Sequence, residues 1–215
     1  MVSDPIYRPA QLGGVHSLGG TEGRAHCLQH RHLCFERKDA TDLGFARRFD
    51  VVTSARTLQW IAEVADAISN MARAAKHDGL VVVLDYNHSL NEWAPNPPPQ
   101  FLDFYQAFLR WRHSNGWDNA MGNSLPALFT TAGLIDIQIS SQDEVCTRGD
   151  QGFSVKTALW SEVIDNVGSA LQMSGFCDSV LLADARRAYE HWRERSLMKQ
   201  VLSMTAVVGR VHLPS

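Results

Sequence analysis

Apolar positions along the chain alternate between strand and helix spacing. In FDVVTS, residues 49–54, Phe49, Val51 and Val52 form a compact apolar run that predicts a buried strand. Val64, Ala67, Ile68, Met71 and Ala75 then recur at helical spacing and predict a helix over 63–76. Its small alanines permit close approach to a sheet. Asp78-Gly79 ends that helix and releases LVVVLDY, residues 80–86, which is apolar at every position from Leu80 to Leu84. Such a run suits a strand covered on both faces. Strand, helix and strand in this order form a right-handed crossover unit, which sets the fold class as α/β.

Beyond the second strand, NEWAPNPPPQ (91–100) carries four prolines and predicts a loop or lid, because proline continues neither a helix nor a central strand. FLDFYQAFLRWRHSNG resumes helical spacing through Phe101, Phe104, Tyr105, Phe108, Leu109 and Trp111. SLPALFTTAGL predicts a short helix closed by Gly133, and Ile135, Ile137 and Ile139 alternate as a strand after it. Two more helices follow, the second turning Leu182, Ala185, Tyr189 and Trp192 inward, and MTAVVGRVHL reads as the last strand. The segments 135–141 and 203–212 are expected to form the antiparallel margin of an otherwise parallel sheet with helices on both faces. Residues 1–31, punctuated by Gly13-Gly14 and Gly19-Gly20, read as irregular, and HLCFERKDA (32–40) as a short strand. The expected organisation is an irregular segment over 1–31 and one domain over 32–215, with a helical lid insertion around 87–131.

Composition narrows the function. The chain has 215 residues, 45% of them hydrophobic and 20% charged, with a formal charge of -3. That is globular composition, and it lacks the concentrated Lys and Arg that nucleic-acid binding requires. No apolar run reaches membrane-spanning length and the N-terminus does not read as a secretory signal, so a cytoplasmic protein is expected. Cys27, Cys34, Cys146 and Cys177 are widely spaced without a C-x-x-C pair, so neither a metal site nor a disulfide framework is expected.

The string RKDATDLGFARRFDVVTSARTLQWIAEVADAISNMARAAKHDGLVVVLDYNH resembles the middle of class I S-adenosylmethionine-dependent methyltransferases. The resemblance continues through the aromatic helix and LFTTAGLIDIQI, and covers residues 32–212. It implies an incomplete Rossmann-like methyltransferase sheet, S-adenosylmethionine as cofactor and a small-molecule acceptor. One departure matters: the family's opening D-x-G-x-G-x-G turn has no clear counterpart. HSLGGTEGR (16–24) is glycine-rich, but no apolar strand leads into it, and only 38 residues precede Asp39. In the family strand order 3-2-1-4-5-7-6, loss of strands one and two bares the edge of FDVVTS. Either the short strand at 32–37 or a second copy of the chain is expected to cover that edge.

The resemblance also nominates site residues. Asp39 matches the acidic residue beside the adenine, with Ala40 offering its backbone N–H there; as a bare residue, Asp39 serves equally as a turn cap. Ser54 ends the first secure strand, where open α/β sheets bind ligands. Trp60 can stack on the adenine or simply pack over a strand end. His88 can orient or deprotonate an acceptor hydroxyl, and Tyr105, with Trp93, Trp111 and Trp117, can line an acceptor lid or fill a secondary core. Two readings stand: a small-molecule methyltransferase, or a truncated or inactive relative that serves as a partner subunit.

Overall fold

A computed structural model describes residues 35–212. Residues 32–34 of the expected strand at 32–37 lie outside them; Phe35 forms an isolated bridge and residues 36–38 are not in a strand.

The crossover unit forms as the pattern predicts. Strand β1 (Phe49–Ala55) leads through a 3-10 turn at Leu58–Trp60 into helix α1 (Val64–Ala74), and β2 (Ala75–Tyr86) returns parallel to β1. Strand β2 starts five residues earlier than LVVVLDY suggests. Its first part is irregular: the register slips between Phe49 and Val51, and Asp78 takes a φ of 60°. A side chain at Gly79 would meet the Lys76 carbonyl at 2.9 Å, so the bend requires glycine there.

Next come β3 (Glu92–Ala94), α2 (Pro99–Ser114), α3 (Met121–Thr131), β4 (Leu134–Ser141) and β5 (Glu144–Thr147). They are followed by α4 (Phe153–Thr157), α5 (Leu159–Met173), α6 (Ser179–Arg195), β6 (Lys199–Leu202) and β7 (Met204–Val211). The main sheet has the order β1-β2-β7-β4. It opens on a parallel pair and closes antiparallel, with β7 between β2 and β4. The margin expected from 135–141 and 203–212 is therefore present. This order matches 4-5-7-6 of the family sheet, and among the described residues no strand lies beyond β1.

Helices α1 and α3 pack together on one face, burying Ile68, Met71, Leu125 and Phe129 against Val81, Val83 and Val207. They are the two helices with substantial packing on this sheet. On the opposite face Leu80, Val82 and Leu84 are only partly covered, and Val51 is 52% exposed. Among the described residues, α1 and α3 supply the helical cover of this sheet. The alternation of Ile135, Ile137 and Ile139 also misleads about facing. A bulge at Asp136, with φ 51°, leaves Ile135 and Ile139 exposed and turns Ile137 toward the core.

A second, aromatic lobe holds α2, α5 and α6 with a small antiparallel sheet of order β3-β6-β5. Its core includes Phe101, Phe104, Phe108, Trp160, Ile164 and Tyr189. The inward set Leu182, Ala185, Tyr189 and Trp192 of α6 packs here as the spacing predicts. The segment around 87–131 divides between the two bodies: α2 joins the aromatic lobe while α3 joins the sheet layer. The apolar faces decide this, because the Phe and Trp stripe of α2 matches α6, whereas Met121, Leu125 and Phe129 match the sheet.

Candidate functional site

The aromatic lobe meets the sheet at the C-terminal ends of β1 and β2, and a buried polar network fills that junction. Its centre is Gln59, in the turn after β1. Its backbone N–H donates to Asp85 Oδ2 at 3.1 Å, and its carbonyl accepts from Arg112 Nη2 at 2.8 Å. Its side chain donates through Nε2 to the Arg56 carbonyl at 3.3 Å, while Oε1 meets His88 Nε2 at 2.6 Å. One residue of the sheet layer is thus tied to β2, to α2 and to the turn after β2.

Each partner has its own supports. Asp85 Oδ1 accepts from the Tyr86 N–H at 3.0 Å. Arg112, fully buried, donates through Nε to Asn119 Oδ1 at 2.9 Å and lies 4.3 Å from the Trp60 ring centroid. Asn87 donates to Thr205 Oγ1 at 3.0 Å and accepts from the Asn123 N–H at 2.8 Å. A side chain at Gly122 would come within 2.9 Å of Asn87 and of the Asp85 carbonyl, so only glycine lets α3 approach this closely.

Burial sets the electrostatics. Desolvation pushes the Asp85 carboxyl up to about 6, although the Tyr86 and Gln59 N–H groups and Arg112 oppose it. Burial, reinforced by Arg112, holds His88 well below the usual imidazole range, so it is neutral. Burial pushes the Tyr86 phenol up to about 12 and raises Tyr105 further. The neutral His88 donates from Nε2 to Gln59 Oε1, since the Gln59 amide nitrogen is committed to Arg56. Its Nδ1 is buried without a hydrogen-bond partner.

The nominated residues fall into two groups. His88 and Tyr105 come together: the Tyr105 hydroxyl donates to the His88 carbonyl at 2.5 Å and accepts from Asn91 Nδ2 at 3.1 Å. Trp60 joins them from the sheet side, packed edge-on against Trp117 and Phe108. Trp93, Tyr105 and Trp111 belong to the aromatic core or pack on it, which favours the core-filling alternative for the lid aromatics. Ser54 lies partly buried on β1, paired with Val83. Asp39 is exposed, and its Oδ1 accepts from the Thr41 N–H at 2.9 Å and from the Thr41 hydroxyl at 2.7 Å, holding the carboxyl below its ordinary value. Ala40 packs beside the sheet cluster. Sequence reasoning missed Gln59 and Arg112 as centres of the junction. A signal existed for Arg112, which continues the 101-105-108 stripe of α2 by four residues, an apolar position that holds a charge.

The described residues suit the adenine end of the family cofactor. Asp39 Oδ2 remains able to accept an amino hydrogen, and a cleft of ≈ 380 Å³ opens at Arg37, Lys38 and Asp39. A second cleft of ≈ 550 Å³ lies away from the strand ends, between Pro98–Gln100 and the α6 residues Asp184, Arg187 and His191. Among the described residues no group of three or more potential metal ligands occurs, and no helix is long and apolar enough to cross a membrane.

Residues 21–83 match the family model described as a methyltransferase domain, which takes in β1, α1 and most of β2. Over these 63 of its 215 residues the chain is similar to a methyltransferase domain, a likeness that supports S-adenosylmethionine as cofactor. A structure described as a methyltransferase from an antibiotic biosynthesis pathway of Anabaena variabilis superposes with a TM-score of 0.50. It shares 13% identity over 85% of this chain and 75% of its own, a likeness of fold. A Haemonchus contortus phosphoethanolamine N-methyltransferase in complex with S-adenosyl-L-methionine is 14% identical, with a TM-score of 0.44 over 81% of this chain. The chain spans 36% of that relative's length. The YcgJ protein of Bacillus subtilis is 15% identical over 84% of this chain and 71% of its own, with a TM-score of 0.47. No curated protein matches in sequence.

Proposed function

We propose that the protein transfers a methyl group from S-adenosylmethionine to a small-molecule acceptor. The observation that carries this reading is the convergence of Gln59, Asp85 and His88 at the carboxyl ends of β1 and β2, directly after the stretch 21–83 that matches the methyltransferase domain and holds Gln59. Open α/β sheets bind ligands at such strand ends. Asp39 and Ala40 serve the adenine, and Ser54 and Trp60 border the cofactor from the sheet side. The cofactor supplies an electrophilic methyl group. The chain's own residues align the acceptor and exclude water, because methyl transfer depends on alignment more than on covalent catalysis. His88 contacts the acceptor, and Tyr105 is a positioning residue that holds the His88 backbone.

Calorimetric titration with S-adenosylhomocysteine tests the cofactor assignment. Binding that weakens in Asp39→Ala supports it. A folded protein that shows no heat at about millimolar ligand rejects it.

One observation favours a second reading, a methyltransferase-like partner protein without catalysis. Gln59, Asp85, Asn87, His88 and Arg112 are all buried, so the strand ends are closed. In either reading we propose that a second copy covers the edge of β1, along which no strand lies among the described residues.

A further inference from the structure

We propose that Gln59 is the positioning residue that fixes His88 as one tautomer, with the proton on Nε2 and a lone pair on Nδ1. The proposal rests on the reading of His88 as the residue that contacts the acceptor, and it deepens that reading. It starts from an amide whose two ends are assigned by the atoms they face. Gln59 Nε2 lies 3.3 Å from the Arg56 carbonyl, and Oε1 lies 2.6 Å from His88 Nε2. A backbone carbonyl only accepts, so the amide end beside Arg56 is the NH2 group and the end beside His88 is the oxygen. An amide oxygen also only accepts, so His88 Nε2 carries the hydrogen. Burial and the nearby Arg112 keep the ring neutral, which leaves Nδ1 without one.

The amide is held against turning over. Gln59 is buried, with its backbone N–H fixed by Asp85 at 3.1 Å and its carbonyl by Arg112 at 2.8 Å. Its side chain therefore starts from a set origin, and a reversed amide would bring its oxygen against the Arg56 carbonyl. Arg56 is fixed in turn. Its φ of 57° lies in the left-handed region, which residues other than glycine rarely adopt. Such a conformation persists where several contacts determine it, and it concentrates at functional sites. Here the Arg56 N–H donates to the Leu84 carbonyl at 2.8 Å. The guanidinium pairs with Glu144 of β5 and lies 5.5 Å from the Tyr86 ring centroid. The strained residue thus places the carbonyl that orients Gln59, and Gln59 orients the proton on His88.

Other neighbours hold the imidazole without choosing its tautomer. The Tyr105 hydroxyl bonds the His88 backbone carbonyl at 2.5 Å, Tyr86 stacks on the ring at 5.4 Å, and Phe108 stands edge-on at 5.8 Å. A ring stack or a backbone hydrogen bond does not place the proton; the Gln59 oxygen does. The consequence is chemical. A neutral imidazole of fixed tautomer donates at one nitrogen and acts as base at the other, so Gln59 decides which nitrogen of His88 is the base.

Nitrogen-15 spectra of histidine-labelled protein at neutral pH read the tautomer directly. They are taken with neither cofactor nor acceptor, so the outcome is independent of whether S-adenosylhomocysteine binds. In wild-type protein we expect a protonated Nε2 and a bare Nδ1 at His88. In Gln59→Met, which keeps the side-chain length and removes the amide, the share of the Nδ1–H form is expected to rise about tenfold. Tyr105→Phe removes the other hydrogen bond to His88 and is expected to leave the tautomer as it is. If Gln59→Met does not fold, a scalar coupling from His88 Nε2 to the Gln59 side-chain carbonyl carbon, measured in wild-type protein, decides the matter. A proton on Nδ1 in wild-type protein, an unchanged ratio in folded Gln59→Met, an equal change in Tyr105→Phe, or absence of that coupling overturns the proposal.

Discussion

Arg112 donates to the carbonyl of Gln59 at 2.8 Å although the two residues stand 53 positions apart in the chain. This bond joins the aromatic lobe to the turn that follows β1, and Asp85 holds the same residue from its N–H side at 3.1 Å. The junction therefore depends on a buried cation and a buried carboxyl that share one peptide neighbour. Each is tolerable because the other is present.

Removing Arg112 exposes that dependence. Arg112→Met keeps the stem against Trp60 but leaves Asp85 without its balancing charge, and should destabilise the protein by about 3–5 kcal/mol. Urea unfolding monitored by tryptophan fluorescence measures it. A loss below about 1 kcal/mol would show that the guanidinium does not support the junction.

Asp85 and His88 push the pH dependence of stability in opposite directions. The folded Asp85 carboxyl titrates at about 6 against an ordinary 3.8, so the folded state favours its proton. Its penalty is absent below pH 4, grows as pH rises through 6, and reaches on the order of 3 kcal/mol above that. His88, held well below 6.5 in the fold, contributes stability that is lost as pH falls below 6.5. The native profile between pH 4 and 7 should be flatter than that of either variant. Asp85→Asn should lose stability on acidification and His88→Phe should lose it on going from pH 4 to 7, measured by denaturant midpoints. Parallel profiles for all three proteins would refute this.

Gly122→Ala tests the close approach of α3. The added methyl meets the Asp85 carbonyl at 2.9 Å, and a backbone atom cannot give way as a flexible side chain can. A cost of about 1–3 kcal/mol is expected, seen as a lower melting temperature. An unchanged melting temperature would mean that the helix start shifts freely.

Val51 tests the edge. It is 52% exposed on β1, and a charge there blunts edge-to-edge pairing. Val51→Lys should convert a dimer to a monomer in light scattering after size exclusion, while changing stability by under about 0.5 kcal/mol. Native protein that is monomeric at every concentration removes the proposed second copy.

The short strands β3, β5 and β6 escaped sequence reasoning for a physical reason. They are three or four residues long, too short to display a period, and β3 lies in the proline-rich stretch read as a loop or lid. Their pairing is set by long-range contacts, as in the bond from the Met198 N–H to the Ala94 carbonyl at 2.8 Å. The three isoleucines of β4 fixed a strand but not its facing, because one bulge at Asp136 changes which side chains point inward.

By itself the amino-acid order determined the crossover unit, the long helices and the antiparallel closing pair, since each depends on apolar spacing within one segment. It also nominated His88 and Tyr105, which come together by a direct hydrogen bond. Only the tertiary structure decided that α2 and α3 part company, and that Gln59 and Arg112 hold the junction. Those outcomes rest on the desolvation of groups distant in sequence, where a buried charge must find its partners across the fold. No local period in the chain encodes such a meeting.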